Sequence, residues 1–224
     1  MEPDFEQEDK QILQVARELC QQLDVKNVLP ERISWQEQYS RRGRLSQDKY
    51  GNPIGRELTP HYPLLDKRTL VLKPVMRGRL ESEEWRPLLA SSIIFYGRLC
   101  SKVSSRSVAC FAPTLVLITI FLLGILLHNP LFNQLLPVVA IAGLIVITAV
   151  LGAYASLLFS RRFMLLADAR AAQIVGPDRL VDVLRKIESL EHSDSERDRM
   201  SVWAWTDYGD APSIKKRIEN LHRS

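Results

Sequence analysis

Two adjacent serines, Ser91 and Ser92, stand inside the apolar stretch LLASSIIFY, and one aspartate, Asp168, stands inside another, MLLADARAA. A serine nucleophile needs a base and an orienting acid brought to it by folding, and neither serine lies in a nucleophile-elbow pattern. The four histidines, His61, His128, His192 and His222, are scattered, with no H-x-x-x-H pair to share a helix face and bind one metal. Three cysteines, Cys20, Cys100 and Cys110, are odd in number and form no C-x-x-C, so neither a disulfide framework nor a cysteine zinc site is expected, and a reducing compartment fits. Asp168 reads as a structural acceptor, bonded to backbone or to an arginine such as Arg86 or Arg161. No metal and no cofactor is therefore expected from these residues.

The elements that carry them are dominated by two apolar runs. VACFAPTLVLITIFLLGILL (Val108 to Leu127) and LLPVVAIAGLIVITAVLGAYASLLF (Leu135 to Phe159) hold no charge, and each is long enough to cross a bilayer as a helix. A soluble domain of this size could not cover two such helices on all sides. The short connector HNPLFNQ permits only a hairpin. Arg98, Lys102 and Arg106 precede it and Arg161, Arg162 and Arg170 follow it, so both flanks, and with them both termini, are expected on the cytoplasmic side. Pro113 is expected near a helix start or at a mild kink. Gly143, Gly152, Ala140, Ala149 and Ala153 supply the small residues that close helix packing needs, against the first span or a partner's helix.

The net charge is +4 and the pI about 9.0. No zinc-knuckle or glycine-aromatic RNA-binding pattern accompanies this excess, so nucleic acid is not expected and anionic lipid is the better counterpart. The opening MEPDFEQEDK is acidic and without an apolar core, which argues against a cleavable secretory signal. Ile12, Val15, Ala16, Leu19 and Leu23 form a helical stripe. From Val25 to Leu72 the pattern becomes short and alternating, with Ile33, Trp35 and Tyr39, the turn signal KYGNPIG and the run RTLVLKP, which predicts a small sheet. Arg41 to Arg44, RRGR, reads as a loop, solvated or facing acidic headgroups or an acidic partner.

A helix from Glu81 to Ser105, starting near Ser82, leads into the membrane. After the second span, helical periodicity through Leu165, Ala169, Ala172 and Ile174 breaks at Gly176-Pro177 and resumes through Leu180, Val183, Leu184 and Ile187. HSDSERDR is polar and predicts a loop. APSIKKRIENLHRS predicts a short basic helix starting near Pro212 or Ser213.

The order of these parts resembles the HtpX and CAAX-prenyl-protease family of membrane zinc metallopeptidases. That family runs from a strand to eEl.aVLAHElgH, through membrane helices to SR..E..AD..A, then L..L.kLe and a terminal hPp...RI..L. This chain has TLVLKPVMRGRLESEEWRPLLASSIIFYG, two spans, SRRFMLLADARAA, GPDRLVDVLRKIESLE and APSIKKRIENL in the same order, over roughly residues 10–222. It lacks the two spans that precede the catalytic domain in bacterial members. Aligned on LLA, the two histidine positions hold Ser91 and Phe95 and the general-base position holds Ser92. The distant glutamate ligand falls on Met164, a soft thioether ill suited to replace a carboxylate. Asp168 alone is retained. With both histidines, the base and the glutamate gone, no metal site and no activated water remain. Filling that space with apolar side chains also removes buried polar groups that would lack partners.

The fold class expected from this resemblance is α+β, mostly helical: a cytoplasmic gluzincin-like peptidase domain split around a two-helix transmembrane hairpin. Residues 1–107 and 160–224 form the two parts of that domain, and 108–159 the hairpin. The function implied is that of a catalytically inactive pseudopeptidase, a binding, regulatory or scaffold subunit for a membrane protein or protease complex. A partner segment would add as a strand to an edge near Thr69 to Leu72, with Leu70, Leu72, Arg86 and Tyr96 as candidate contacts. Two alternatives stand beside it: an active metallopeptidase with non-standard ligands, and a purely structural subunit of a membrane complex.

Overall fold

The computed structural model describes residues 5–25, 28–36, 38–39, 46–47, 53–54, 56–59, 61–66, 68–126, 135–195 and 211–223. The RRGR run at Arg41 to Arg44 and His128 lie outside them. The chain divides into two compact units, one formed by Met1–Leu99 with Phe163–Ser224 and the other by Cys100–Arg162. These bounds differ from 107/108 and 159/160 because hydropathy marks where a helix turns apolar, whereas packing marks where its neighbours change.

Among the described residues the first unit is mostly helical, with a three-stranded sheet and two short strand pairs. Helix α1 (Phe5–Gln22) buries Ile12, Val15, Ala16 and Leu19 of the predicted stripe; Leu23, just past its end, is buried as well, and Cys20 joins them. Strands β1 (Arg32–Trp35), β6 (Leu64–Asp66) and β7 (Thr69–Leu72) form a three-stranded sheet in the order β1-β7-β6. β1 runs parallel to β7, with Ile33 opposite Leu70, and β6 returns antiparallel, with Leu65 opposite Leu70. Between β1 and β6, short strands β2 (Gln38–Tyr39) and β5 (Arg56–Glu57) pair, as do β3 (Ser46–Gln47) and β4 (Pro53–Ile54).

This topology overturns one expectation. β7 is the middle strand, hydrogen-bonded on both sides, so Thr69 to Leu72 is no edge for a partner, and Leu70 and Leu72 are core residues at 0% and 2% exposure. A parallel pairing across 37 residues leaves no local trace in sequence.

Helix α2 (Trp85–Ile94) is buried on nearly every residue and starts three positions later than Ser82 suggests. The Glu84 carboxylate accepts from the Glu81 N–H at 2.7 Å, in the turn that precedes the helix, and from Lys186 Nζ at 2.6 Å, tying this helix to α5 (Pro177–Ser195). A π-helical turn, Phe95–Leu99, follows α2. Inside it a Cβ on Gly97 would lie 2.3 Å from a Val25 methyl, so only glycine lets α1's trailing segment pass this close. Arg98 donates to the Leu23 carbonyl beside it, capping the end of α1.

Helix α4 (Leu135–Val175) ends where predicted, at Gly176 with φ +95°, and Pro177 opens α5. α5 reaches Ser195, so the first four residues of HSDSERDR, from His192, are helical and not loop. Helix α6 (Ile214–Arg223) follows Pro212 and Ser213.

The second unit holds α3 (Cys100–Leu126) and the larger part of α4. The stretches Trp85–Ile125 and Val138–Val175 are long and apolar enough to cross a membrane, each holding an 18-residue segment with a mean hydropathy of 2.5. The two helices are antiparallel: Ser156 Oγ donates to Ser107 Oγ at 2.8 Å, and a Cβ on Gly152 would sit 3.0 Å from the Cys110 carbonyl. Gly152 is thus a close-packing residue, whereas nothing lies within 4 Å of Gly143. Thr119 and Thr148 donate to carbonyls of Leu115 and Leu144 one turn back, satisfying hydroxyls within apolar helices. Pro113 lies in the interior of α3, not in its first turn, because the helix begins well before the apolar run.

Candidate functional site: a buried clamp on Asp168

Asp168 lies on α4 four residues after Met164, so the two share one helix face, and both are buried, at 0% and 3% exposure. Ser91 and Phe95 share a face across the junction of α2 and the π turn, and they are buried too. The two helices meet at one polar contact: Ser91 Oγ donates to Asp168 Oδ1 at 2.5 Å. The positions Ser91, Phe95, Met164 and Asp168, singled out by the resemblance, therefore lie on two helices joined at Ser91 and Asp168. Ser92, at the base position, is fully buried, and its hydroxyl has no hydrogen-bond partner among the described residues.

The cation at this site comes from α6. Arg217 grips Asp168 with Nε on Oδ2 at 2.8 Å and Nη2 on Oδ1 at 2.7 Å, while Nη1 donates to the His61 carbonyl at 2.5 Å. Both partners of the ion pair are 0% exposed. Such a pair is retained only with good geometry and further hydrogen bonds, and the two-point fork plus the carbonyl and the serine provide them. The guanidinium also faces the Tyr62 ring, 5.2 Å from its centroid. Burial first, and then the neighbouring Asp168 charge, push the Tyr62 phenol well above its ordinary pKa, so it stays neutral.

Aromatic rings close the site. Phe95 packs edge-on against Tyr62 and against Tyr96, at 6.0 and 5.1 Å between centroids. Tyr96 in turn packs on Leu58, Leu64 and Val71, so this candidate partner contact is half spent inside the core. Arg86 pairs loosely with Glu83, 3.8 Å away on its own helical turn, and the arginine that meets Asp168 comes from a helix the expectation did not include.

Among the described residues, no group of three or more His, Cys, Asp or Glu side chains is placed to hold a metal ion. His61 contributes its backbone, and its imidazole is buried; His222 is exposed on α6. Arg217 and Tyr62 were not picked out by sequence reasoning. For Arg217 a signal existed: it occupies the apolar face of α6 with Ile214, Ile218 and Leu221, and a cation at a core position demands a buried anion.

A second polar cluster sits where α1 meets the sheet. Asp9 accepts from Trp35 Nε1 at 2.9 Å and from Arg77 at 3.1 Å, and Arg77 stacks over Phe5 and Trp35. It is a packing joint that fixes α1, with Trp35 edge-on to the buried Trp85.

Compared with known protein families, curated proteins and solved structures, the chain matches none.

Proposed function

We propose that this chain is a membrane-anchored, catalytically silent relative of the HtpX and CAAX-prenyl-protease peptidases, working by binding a membrane protein or protease complex. The observation that carries the reading is the Ser91–Asp168 bond closed by Arg217. In a metallopeptidase the carboxylate behind a zinc-binding histidine accepts that histidine's second N–H and orients it. Here a hydroxyl stands at the histidine position and the same carboxylate receives it. The guanidinium supplies a positive charge in a pocket whose remaining positions are serine, phenylalanine and methionine. Arg217 holds both oxygens of Asp168 while Oδ1 also accepts from Ser91, and the 0% exposure of Ser91, Ser92 and Asp168 keeps water and substrate out.

With the interior filled, the work falls to surfaces. Among the described residues β1 and β6 each pair with β7 alone, so these two strands, in place of the Thr69 to Leu72 segment, are the sheet edges for strand addition. The hairpin lies in a bilayer with both flanks cytoplasmic.

Restoring the ligands tests this reading. Ser91→His, Ser92→Glu, Phe95→His and Met164→Glu are combined, and zinc is measured on the purified protein beside wild type. About one zinc per chain in the variant and none in wild type is expected. A folded variant that binds no zinc removes the kinship. Zinc in wild type with chelator-sensitive proteolysis removes the silence. Co-purification in mild detergent then identifies the partner, and loss of it on Gly143→Glu places the contact on the hairpin.

A further inference from the structure

The second unit carries an unbalanced charge. Its described residues contain four cations, Lys102, Arg106, Arg161 and Arg162, and no Asp or Glu. All four sit at one end. The contacts Ser107–Ser156 and Cys110–Gly152 set the antiparallel register. Continuing that register along both helices puts Lys102 level with Arg161 and Arg162, and Arg106 about one turn, roughly 5.4 Å, closer to the apolar segment.

Lys102 and Arg106 are four residues apart on one face of α3, and both are exposed; Arg162 is exposed and Arg161 half-exposed on α4. Exposed Ser101, Ser104 and Ser105 interleave with these cations, adding hydroxyl donors. One helical step beyond Ser107 the surface changes: Val108 is 65% exposed and apolar, and so are Leu115, Val116 and Ile120 further along. The basic collar therefore sits at the level where the apolar surface of the hairpin gives out, which in a bilayer is the depth of lipid phosphates.

We propose that this collar is a binding site for anionic phospholipid headgroups, engaging a phosphate through Arg106 and Lys102 on α3 and Arg161 and Arg162 on α4. Guanidinium and ammonium groups together suit a phosphodiester, and the adjoining apolar helix faces receive the acyl chains of the same molecule. A soluble anion would gain the charge contacts without that apolar surface, so lipid is the ligand the patch fits. The inference rests on the hairpin lying in a membrane, as proposed above.

The full chain is reconstituted in an equimolar mixture of phosphatidylcholine and phosphatidylglycerol and re-extracted in mild detergent, and the lipid that remains with it is quantified. Alkaline carbonate extraction of the same membranes reads insertion separately. Retained phosphatidylglycerol is expected to exceed phosphatidylcholine, with each neutralisation to glutamine at Lys102, Arg106, Arg161 or Arg162 lowering the ratio by up to about fivefold. Lys10→Gln and Arg32→Gln, in the first unit, are expected to leave it unchanged. Release by carbonate overturns both this proposal and the membrane reading. An inserted wild type that retains both lipids equally, or a fourfold glutamine variant that keeps the preference, overturns the headgroup site alone.

Discussion

The two units are built on opposite plans. In the first, large apolar side chains point inward: Trp85, Leu88, Leu89, Ile93 and Leu99 are all at most 1% exposed, and the polar groups they enclose are closed by Arg217. In the second, large apolar side chains point outward, with Val108, Leu122, Val146 and Val150 each at least 60% exposed. What is buried there is small or hydroxylated, namely Gly124, Gly152 and Thr114. The first unit excludes water by burying area; the second leaves its apolar area for another medium and spends glycines on close approach. A single substitution should therefore act differently according to the plan it violates.

The largest effect is expected at the clamp. Arg217→Ala leaves Asp168 buried without its counter-ion and should destabilise the first unit by about 3–5 kcal/mol. Denaturation followed by tryptophan fluorescence reads this through Trp35 and Trp85, while the helical circular dichroism of the hairpin persists. Combining Asp168→Leu with Arg217→Leu should recover much of the loss, because an apolar pair of similar volume needs no compensation. A single variant no worse than Lys215→Ala would remove the clamp from the account.

Next in size, Gly97→Ala forces a Cβ into Val25 and should cost about 1–3 kcal/mol in the first unit. The hairpin offers a matched pair that sharpens the contrast. Gly152→Leu drives a side chain into the Cys110 carbonyl and the Phe111 ring and should separate the helices, whereas Gly143→Leu meets open space and should leave hairpin packing unchanged. A cysteine cross-link between positions 107 and 156 reports both outcomes. Equal loss of cross-linking in the two variants would break the comparison.

A smaller effect concerns pH. Burial pushes the Cys20 thiol from its ordinary 9.0 up to about 11. A raised folded-state value means that the stabilisation is complete below 9.0 and is lost as pH climbs through about 11. In a Cys100→Ser, Cys110→Ser background, alkylation of Cys20 should stay slow at neutral pH and accelerate only on approach to that range. Smallest of all, Lys186→Ala removes a part-exposed pair with Glu84 and should cost no more than about 1 kcal/mol.

Local pattern carried much of this architecture. The α1 stripe, the two apolar runs, the stop at Gly176-Pro177 and the start of α6 are all recorded in residues a few positions apart, and each lies where spacing or turn chemistry puts it. What could not be read is non-local. That β7 is the middle strand depends on Arg32 meeting Thr69, and the clamp depends on Ser91, Asp168 and Arg217 converging from three helices. The family resemblance drew attention to Ser91, Phe95, Met164 and Asp168, and the structure joins their helices, but it could not say which cation Asp168 meets. The π turn at Phe95–Leu99 is likewise silent in composition.

Arg217 also imposes a timetable on synthesis. Ser91 emerges from the ribosome 77 residues before Asp168, and Arg217 another 49 after it, with both apolar helices made in between. A nascent chain that has already made both apolar helices still holds an aspartate with no counter-ion and an unsealed interior. Completion of α6 is the step that locks it, so a translation product interrupted before that helix would have its apolar helices yet an unfinished first unit, open to proteolytic quality control.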